Sequence, residues 1–324
     1  MQAQYSPSPY IGLWSRVRDF KREDLEAALA AHLVYKSTLM RGTLHLVSAR
    51  QFDLYRLASR FPRHTWTAGP IQLAERGIDV DALREEILTA LDDKPLKKPE
   101  LERAFRNRIP ADLPDWVSFS LVIYSAINHH EDARFGHFAG SRYMRAPLSE
   151  ADPDAAMSAV LSAYLGAFGP ATRADIAQWL GRSVSTFSTV LESLDLVTFQ
   201  AEDGRKLVDL VDAARPAATV PAPVRFLPKW DNLLLAHDRR ERVLPEALRK
   251  TVIRKNGDVL PTFLVDGMVA GSWEAPLRGR AVMTLTSFSP LSVKSRRAVE
   301  SEAESLLAWL RPDVAQREVS WKPA

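Results

Sequence analysis

Two glutamines two positions apart, Gln2 and Gln4, open the chain. Each is a neutral amide with one acceptor oxygen and two N–H donors, able to orient a water but too weak a base to deprotonate it. By spacing alone the pair reads as a polar strand or loop end at a frayed terminus. A second polar cluster is Lys229-Trp230-Asp231-Asn232. Its carboxylate can act as a base or as a cap, and Asp231 is read as the cap of Asn232-Leu233-Leu234. Arg41 sits in a short turn, where a guanidinium suits a phosphate, and His45 alternates with Leu44 and Leu46 so that it points away from them. His129 and His130, with Glu131, Asp132 and later His137, have a spacing that fits no zinc pattern.

Composition narrows the classes. The chain has 324 residues, 46% hydrophobic and 26% charged, which is ordinary for a globular protein of two or three modules. It has no cysteine, so disulfides, thiol catalysis and Cys-ligated metal are excluded, as suits a cytoplasmic protein. It shows no run of 18 apolar residues and no secretory leader. The net charge is +3 and the pI about 9.1. Arginines cluster at 239–242, at 278–280 and at 296–297. Such a balance permits nucleic-acid binding without demanding it. On that reading Arg16, Arg41, His45, Lys229, His237, Arg239 and Arg240 are the candidate DNA contacts. There is no GxxxxGK[ST] phosphate loop, no strand–GxGxxG–helix and no Gly-x-Ser-x-Gly elbow.

Several elements must position these residues. Leu25, Ala28, Leu29 and Leu33 predict a helix over 23–33. Two short strands, 34–40 and 43–47, flank Arg41-Gly42. Helices are predicted over 49–61, 79–92, 99–108 and 116–126, and an aromatic, basic loop over 135–145. The clearest module spans 154–212: a helix over 154–168, a second capped by Thr172 with Asp175, Gly181 as the turn, and a third helix from Ser183 to Leu194. A hairpin follows, and its Asp203-Gly204 predicts a type I′ turn. Three helices and a two-stranded wing make a winged helix. An Ala- and Pro-rich linker over 216–223 leads to strands at 259–265, 268–273 and 280–287, a helix over 291–310 and a last strand near 316–321. The fold class expected is mainly α with small β-hairpins, as tandem winged-helix modules plus an α+β C-terminal part. The divisions are 1–150, 151–215 and 224–324, the last a candidate third winged helix. The helix and hairpin at 23–47 read as the second half of a winged helix. One or two further helices are therefore expected before residue 1, with Met1 an internal start or a cloning boundary.

Gln2-Ala3-Gln4, the segment Met40-Arg41-Gly42-Thr43-Leu44-His45-Leu46-Val47, the segment Phe226-Leu227-Pro228-Lys229-Trp230-Asp231-Asn232 and Phe263-Leu264-Val265-Asp266-Gly267 together resemble the AlkZ/YcaQ-like winged-helix DNA glycosylases. The resemblance runs along nearly the whole chain. It implies catalysis by Gln2 and Gln4, excision of bulky N-alkylated purines and unhooking of interstrand crosslinks. Because the second position is Gln rather than the Asp of the sister branch, it implies the AlkZ-like branch, linked to self-resistance against alkylating natural products. No cofactor or metal is implied. The expected partner is double-stranded DNA carrying alkylated purines, met by a monomer in the bacterial cytoplasm, at the nucleoid. The same architecture also suits a non-enzymatic winged-helix DNA-binding protein or transcription regulator, which binds a defined operator and gains little from a lesion.

Overall fold

The structure, a computed structural model, describes residues 1–59, 68–92, 94–125, 127–130, 135, 142–146 and 151–322. It combines helices with several small sheets and forms two compact units. One joins Met1–Arg22 to Ala214–Ala324, and the other is Glu23–Ala213. No helix among the described residues is long and apolar enough to cross a membrane.

The first unit begins with a short helix, α1 (Ser8–Trp14), whose Pro9 suits the first turn of a helix. The second unit then runs from α2 (Arg22–Ala30) into the hairpin β1 (Val34–Thr38) and β2 (Leu44–Ser48), paired from Val34↔Ser48 to Thr38↔Leu44. Helices α3 (Ala49–Ala58), α4 (Ala68–Glu75) and α5 (Val80–Thr89) follow. Next come β3 (Leu96–Lys97), α6 (Lys98–Phe105), α7 (Asp115–Tyr124), β4 (Ile127–His130) and β5 (Arg142–Arg145). The three strands form one sheet in the order β3-β5-β4. Its core is Leu73, Leu83, Ile87, Leu101, Phe105, Val117 and Leu121, all without solvent exposure. His129 and His130, read from sequence as part of a turn, lie in β4, while Glu131, Asp132 and His137 fall outside the described residues. Most of the loop expected over 135–145 also falls outside them.

The module expected over 154–212 is present as α8 (Pro153–Phe168), α9 (Arg173–Leu180), a 3-10 turn over Val184–Thr186, α10 (Ser188–Glu192), β6 (Leu196–Gln200) and β7 (Lys206–Leu210). Thr172 and Asp175 form a reciprocal capping box, their side chains each taking the other's backbone N–H at 3.0 and 2.8 Å. Two details differ from expectation. The third helix is broken at Phe187, whose φ of −134° is not helical. The hairpin turn is not type I′. Only Gly204 has positive φ (82°), and its N–H donates to the Ala201 carbonyl at 2.9 Å. That is a type I turn closed by a left-handed glycine.

The first unit resumes with β8 (Arg225–Leu227), α11 (Glu246–Val252), β9 (Thr262–Val265), β10 (Met268–Glu274), β11 (Ala281–Ser287), α12 (Val293–Leu310) and β12 (Arg317–Trp321). These strands make one five-stranded sheet, β12-β11-β10-β9-β8, antiparallel except for β11 and β12. The parallel pair is joined through α12, as a parallel connection requires. Residues 1–22 are fastened to this unit by aromatic contacts. Trp14 and Phe20 lie 6.3 and 6.1 Å from the Trp309 ring of α12, and the Arg22 guanidinium stacks over the same ring at 4.7 Å.

Candidate active site

Gln2 and Gln4 do not share one environment. Gln2 is buried, at 7% exposure, beside the fully buried Ala3, whereas Gln4 is exposed. The segment is therefore not a frayed end. The Gln2 Oε1 accepts no hydrogen bond among the described residues. Other buried groups, such as the Ser15 hydroxyl and the Asn128 amide, share this condition among the described residues, and a water completes such groups as well as a substrate does.

What holds this segment is the stretch after β8. The Ser8 hydroxyl donates to the Lys229 carbonyl at 2.9 Å. Arg16, just beyond α1, gives one N–H to the Asp231 carboxylate at 2.7 Å and another to the Gly12 carbonyl at 3.1 Å. Asp231 is buried and also accepts the Leu233 N–H at 2.9 Å, which is the cap expected from sequence. Between these ties stands Trp230 with φ +54°, an uncommon conformation for a bulky residue. Its indole N–H donates to the Gly257 carbonyl at 2.9 Å, and the Lys229 ammonium lies 4.7 Å over its ring and 2.8 Å from Asp258.

A cleft of about 330 Å³ opens against the same segment. Tyr5, Pro7 and Ile11 line it together with Pro228, Lys229, Asp258 and Trp273, among others. Burial raises the Tyr5 phenol above its ordinary value, so it stays a neutral donor. No local pattern signals this cleft, because its walls come from segments more than 200 positions apart.

The other candidate contacts divide into engaged and exposed groups. In the second unit, Arg41 has φ +59° and donates to the Trp179 carbonyl at the end of α9. Its other nitrogen lies 3.4 Å from the His45 Nε2. His45 is fully buried, and its Nδ1 lies 2.8 Å from the Thr43 carbonyl. A carbonyl only accepts, so Nδ1 carries the proton and Nε2 offers its lone pair to Arg41. Burial first, and the Arg41 charge second, hold the imidazole well below its usual value and therefore neutral. In the first unit His237 is buried. Arg240 donates to the Leu234 carbonyl at 2.8 Å, and Arg239 is exposed.

Comparison with known proteins gives this arrangement a context. The fold is similar to that of the DNA glycosylase AlkZ of Streptomyces sahachiroi, with a TM-score of 0.78 at 23% identity over 99% of this chain and 91% of the other. A protein of the same organism named interstrand DNA cross-link repair glycosylase is 29% identical over an alignment 309 residues long that covers 87% of this chain and 80% of that protein. The family model described as DNA glycosylase AlkZ-like matches residues 1–309, a span that includes Gln2, Gln4 and every element from α1 to most of α12, and the chain belongs to this AlkZ-like DNA glycosylase family.

Proposed function

We propose that this protein is a monofunctional DNA glycosylase that hydrolyses the N-glycosidic bond of bulky N-alkylated purines, with interstrand crosslinks among its substrates. The observation that carries this reading is the buried, unpartnered oxygen of Gln2, two residues from the exposed Gln4, within the span matched by the family. A side-chain amide oxygen accepts a water proton and its N–H groups donate, and on this reading the two glutamines orient the attacking water.

The chemistry needs little more. A purine alkylated at N7 or N3 is already cationic. As the N-glycosidic bond breaks, its electron pair passes to the base, which leaves neutral and needs no strong acid. The sugar becomes oxocarbenium-like, and the oriented water adds to C1′ and loses a proton to solvent. The amide dipoles favour the positive charge that develops on the sugar. An amide is too weak a base to activate water against an uncharged base. Uracil and normal bases are therefore poor substrates on this mechanism. Neither glutamine is an amine, so no Schiff base forms at these positions and strand cleavage is not part of the reaction.

Residues 153–210 supply three helical segments and a hairpin, the set of elements of a winged helix, and α2 with β1 and β2 supplies part of another. We read these as the duplex-binding parts, with the exposed Arg239 as a phosphate contact. The deciding experiment is release of an N7-alkylguanine from a defined duplex under single-turnover conditions. Release that disappears in Gln2→Leu and Gln4→Leu supports the reading. Tight binding to one operator sequence without base release overturns it in favour of a regulator.

A further inference from the structure

We propose that the salt-dependent grip on duplex DNA is made by the first unit, through Lys250, Arg254 and Lys255, and that the module from α8 to β7 adds little to it. This rests on the reading that the protein acts on double-stranded DNA.

The net +3 of the chain hides two opposite balances. The first unit holds 22 Lys and Arg against 13 Asp and Glu, a net of +9. The second holds 21 against 27, a net of −6. A duplex carries one negative charge about every 1.7 Å along its axis, so it is drawn to the first unit and repelled by the second.

The module from α8 to β7 is itself acidic. Residues 153–210 contain four Lys and Arg and seven Asp and Glu. In a helix-turn-helix the second helix faces the groove. Here that segment, 184–192, contains no Lys or Arg, and its exposed residues are Ser185, Thr186, Thr189 and Glu192. Glu192 pairs with Arg173 at 2.8 Å, so that arginine is engaged as well. At the hairpin tip Glu202 and Asp203 are exposed, and Asp203 pairs with Arg205 at 2.6 Å. These elements offer a duplex shape and short hydroxyls rather than phosphate-binding charge.

The first unit offers the opposite. Residues 238–258 hold seven Lys and Arg against four Asp and Glu. Lys250, Arg254 and Lys255 are exposed, and their side chains make no ion pair or hydrogen bond among the described residues. The backbone that carries the last two is fixed. The Arg254 N–H donates to the Asp258 carbonyl at 2.8 Å, the Gly257 N–H returns to the Arg254 carbonyl at 2.9 Å, and Ile253 bridges Val259. The Trp230 indole N–H holds the Gly257 carbonyl at 2.9 Å. Cations on a fixed turn lose less freedom on meeting phosphates than cations on a loose one. Arg240, on the same stretch, holds its proton less firmly than usual, through burial first and the Arg249 charge second, with Asp238 and Glu246 offsetting part of the effect. Other cationic groups of the unit are more nearly balanced. Arg296 pairs with Glu300 at 3.1 Å, with Glu302 and Glu304 further along α12, and Arg280 lies 3.8 Å from Glu318.

The test is titration of a short undamaged duplex with the full chain at several salt concentrations. Lys250→Gln, Arg254→Gln and Lys255→Gln together should make the slope of log K against log salt shallower by about 2 to 3, the change for about three lost phosphate contacts, and weaken binding at low salt by about tenfold or more. Arg182→Gln with Lys206→Gln, in the module, should change the slope by less than about 0.5. Lys250→Arg, Arg254→Lys and Lys255→Arg together keep the charge and should keep the wild-type slope, which separates lost charge from lost structure. An unchanged slope in the neutralised variant, an equal loss in the module variant, or an equal loss in the charge-keeping variant overturns the assignment and leaves the DNA reading standing. If the wild-type protein binds the duplex without salt dependence, the DNA reading and this assignment fall together.

Discussion

Gln2 and His45 are both buried polar side chains, yet they use their hydrogen-bonding capacity in opposite ways. His45 directs its Nδ1 proton to the Thr43 carbonyl and its Nε2 lone pair to Arg41, which in turn holds the Trp179 carbonyl. The Gln2 oxygen meets no donor among the described residues. A closed network specifies structure, because each member satisfies another. A buried acceptor that no protein group meets is stable only where a water or ligand completes it. On the proposed reading, the difference separates a residue that builds the protein from one that acts on substrate, although both are buried polar residues.

The sharpest way to break this comparison is to remove the amides of Gln2 and Gln4. Gln2→Leu and Gln4→Leu should each cut single-turnover base release by about 10²-fold or more, a typical loss for one preorganised polar group. Binding to lesion-bearing duplex should change little, because phosphate contacts supply most of the affinity. Gln2→Leu should not lower the melting temperature, since it removes an unmet buried acceptor. A variant that excises at the wild-type rate would show that the motif is not the catalytic centre. Gln4→Asp imitates the sister branch and supplies a stronger base, so it should retain more activity than Gln4→Leu.

Local structure was legible in the sequence; the company each segment keeps was not. The strands Val34–Thr38 and Leu44–Ser48, the Thr172–Asp175 capping box and the strands of the C-terminal sheet follow from alternation, caps and turn residues. The short β8 was missed because three residues carry no periodicity. Helix α4 lies outside the expected elements; its Gly69-Pro70 stands in the first turn, where proline is tolerated. Alternation correctly set His45 opposite Leu44 and Leu46, but it could not show that His45 itself is buried. The tie between Arg16 and Asp231 spans 215 positions, beyond any local pattern. For the same reason the cleft beside Tyr5 had no signal in the sequence.

Gly181 tests the closed network next. It ends α9 with φ +75°, and a Cβ there would lie 2.9 Å from both the Cα and the N of Arg41. Gly181→Ala therefore combines a left-handed backbone with a collision against main chain. We expect a loss of about 2–4 kcal/mol by urea titration. A loss below about 1 kcal/mol would mean that the Arg41 turn moves freely and that the network is not closed.

The histidine itself gives a smaller, pH-dependent effect. The unfolded chain takes up a proton near pH 6.5, whereas burial and Arg41 delay protonation of folded His45 to a much lower pH. Between those values the unfolded state binds more protons. The stability associated with neutral His45 is thus complete above pH 6.5 and falls as pH drops, at up to about 1.4 kcal/mol per pH unit. His45→Leu should flatten this slope between pH 6.5 and 5. It should also lower stability at pH 8 by about 1–3 kcal/mol, by leaving the partners of the imidazole unmet. Parallel slopes in the two proteins would mean that His45 titrates normally when folded.

The smallest effect is expected where a glycine has the same backbone conformation but no neighbours. Gly204 has φ +82° at the tip of the β6–β7 hairpin, and a Cβ there would meet nothing within 4 Å. Gly204→Val is therefore opposed by the backbone alone, at about 1 kcal/mol. It should leave N7-alkylguanine release unchanged if the tip only shapes the hairpin. Because Gly181 and Gly204 share a left-handed conformation, the gap between the two losses measures what packing on Arg41 adds beyond backbone strain. Equal losses would mean that strain alone fixes both turns, and the contrast between a closed interior network and an exposed hairpin tip would then fail.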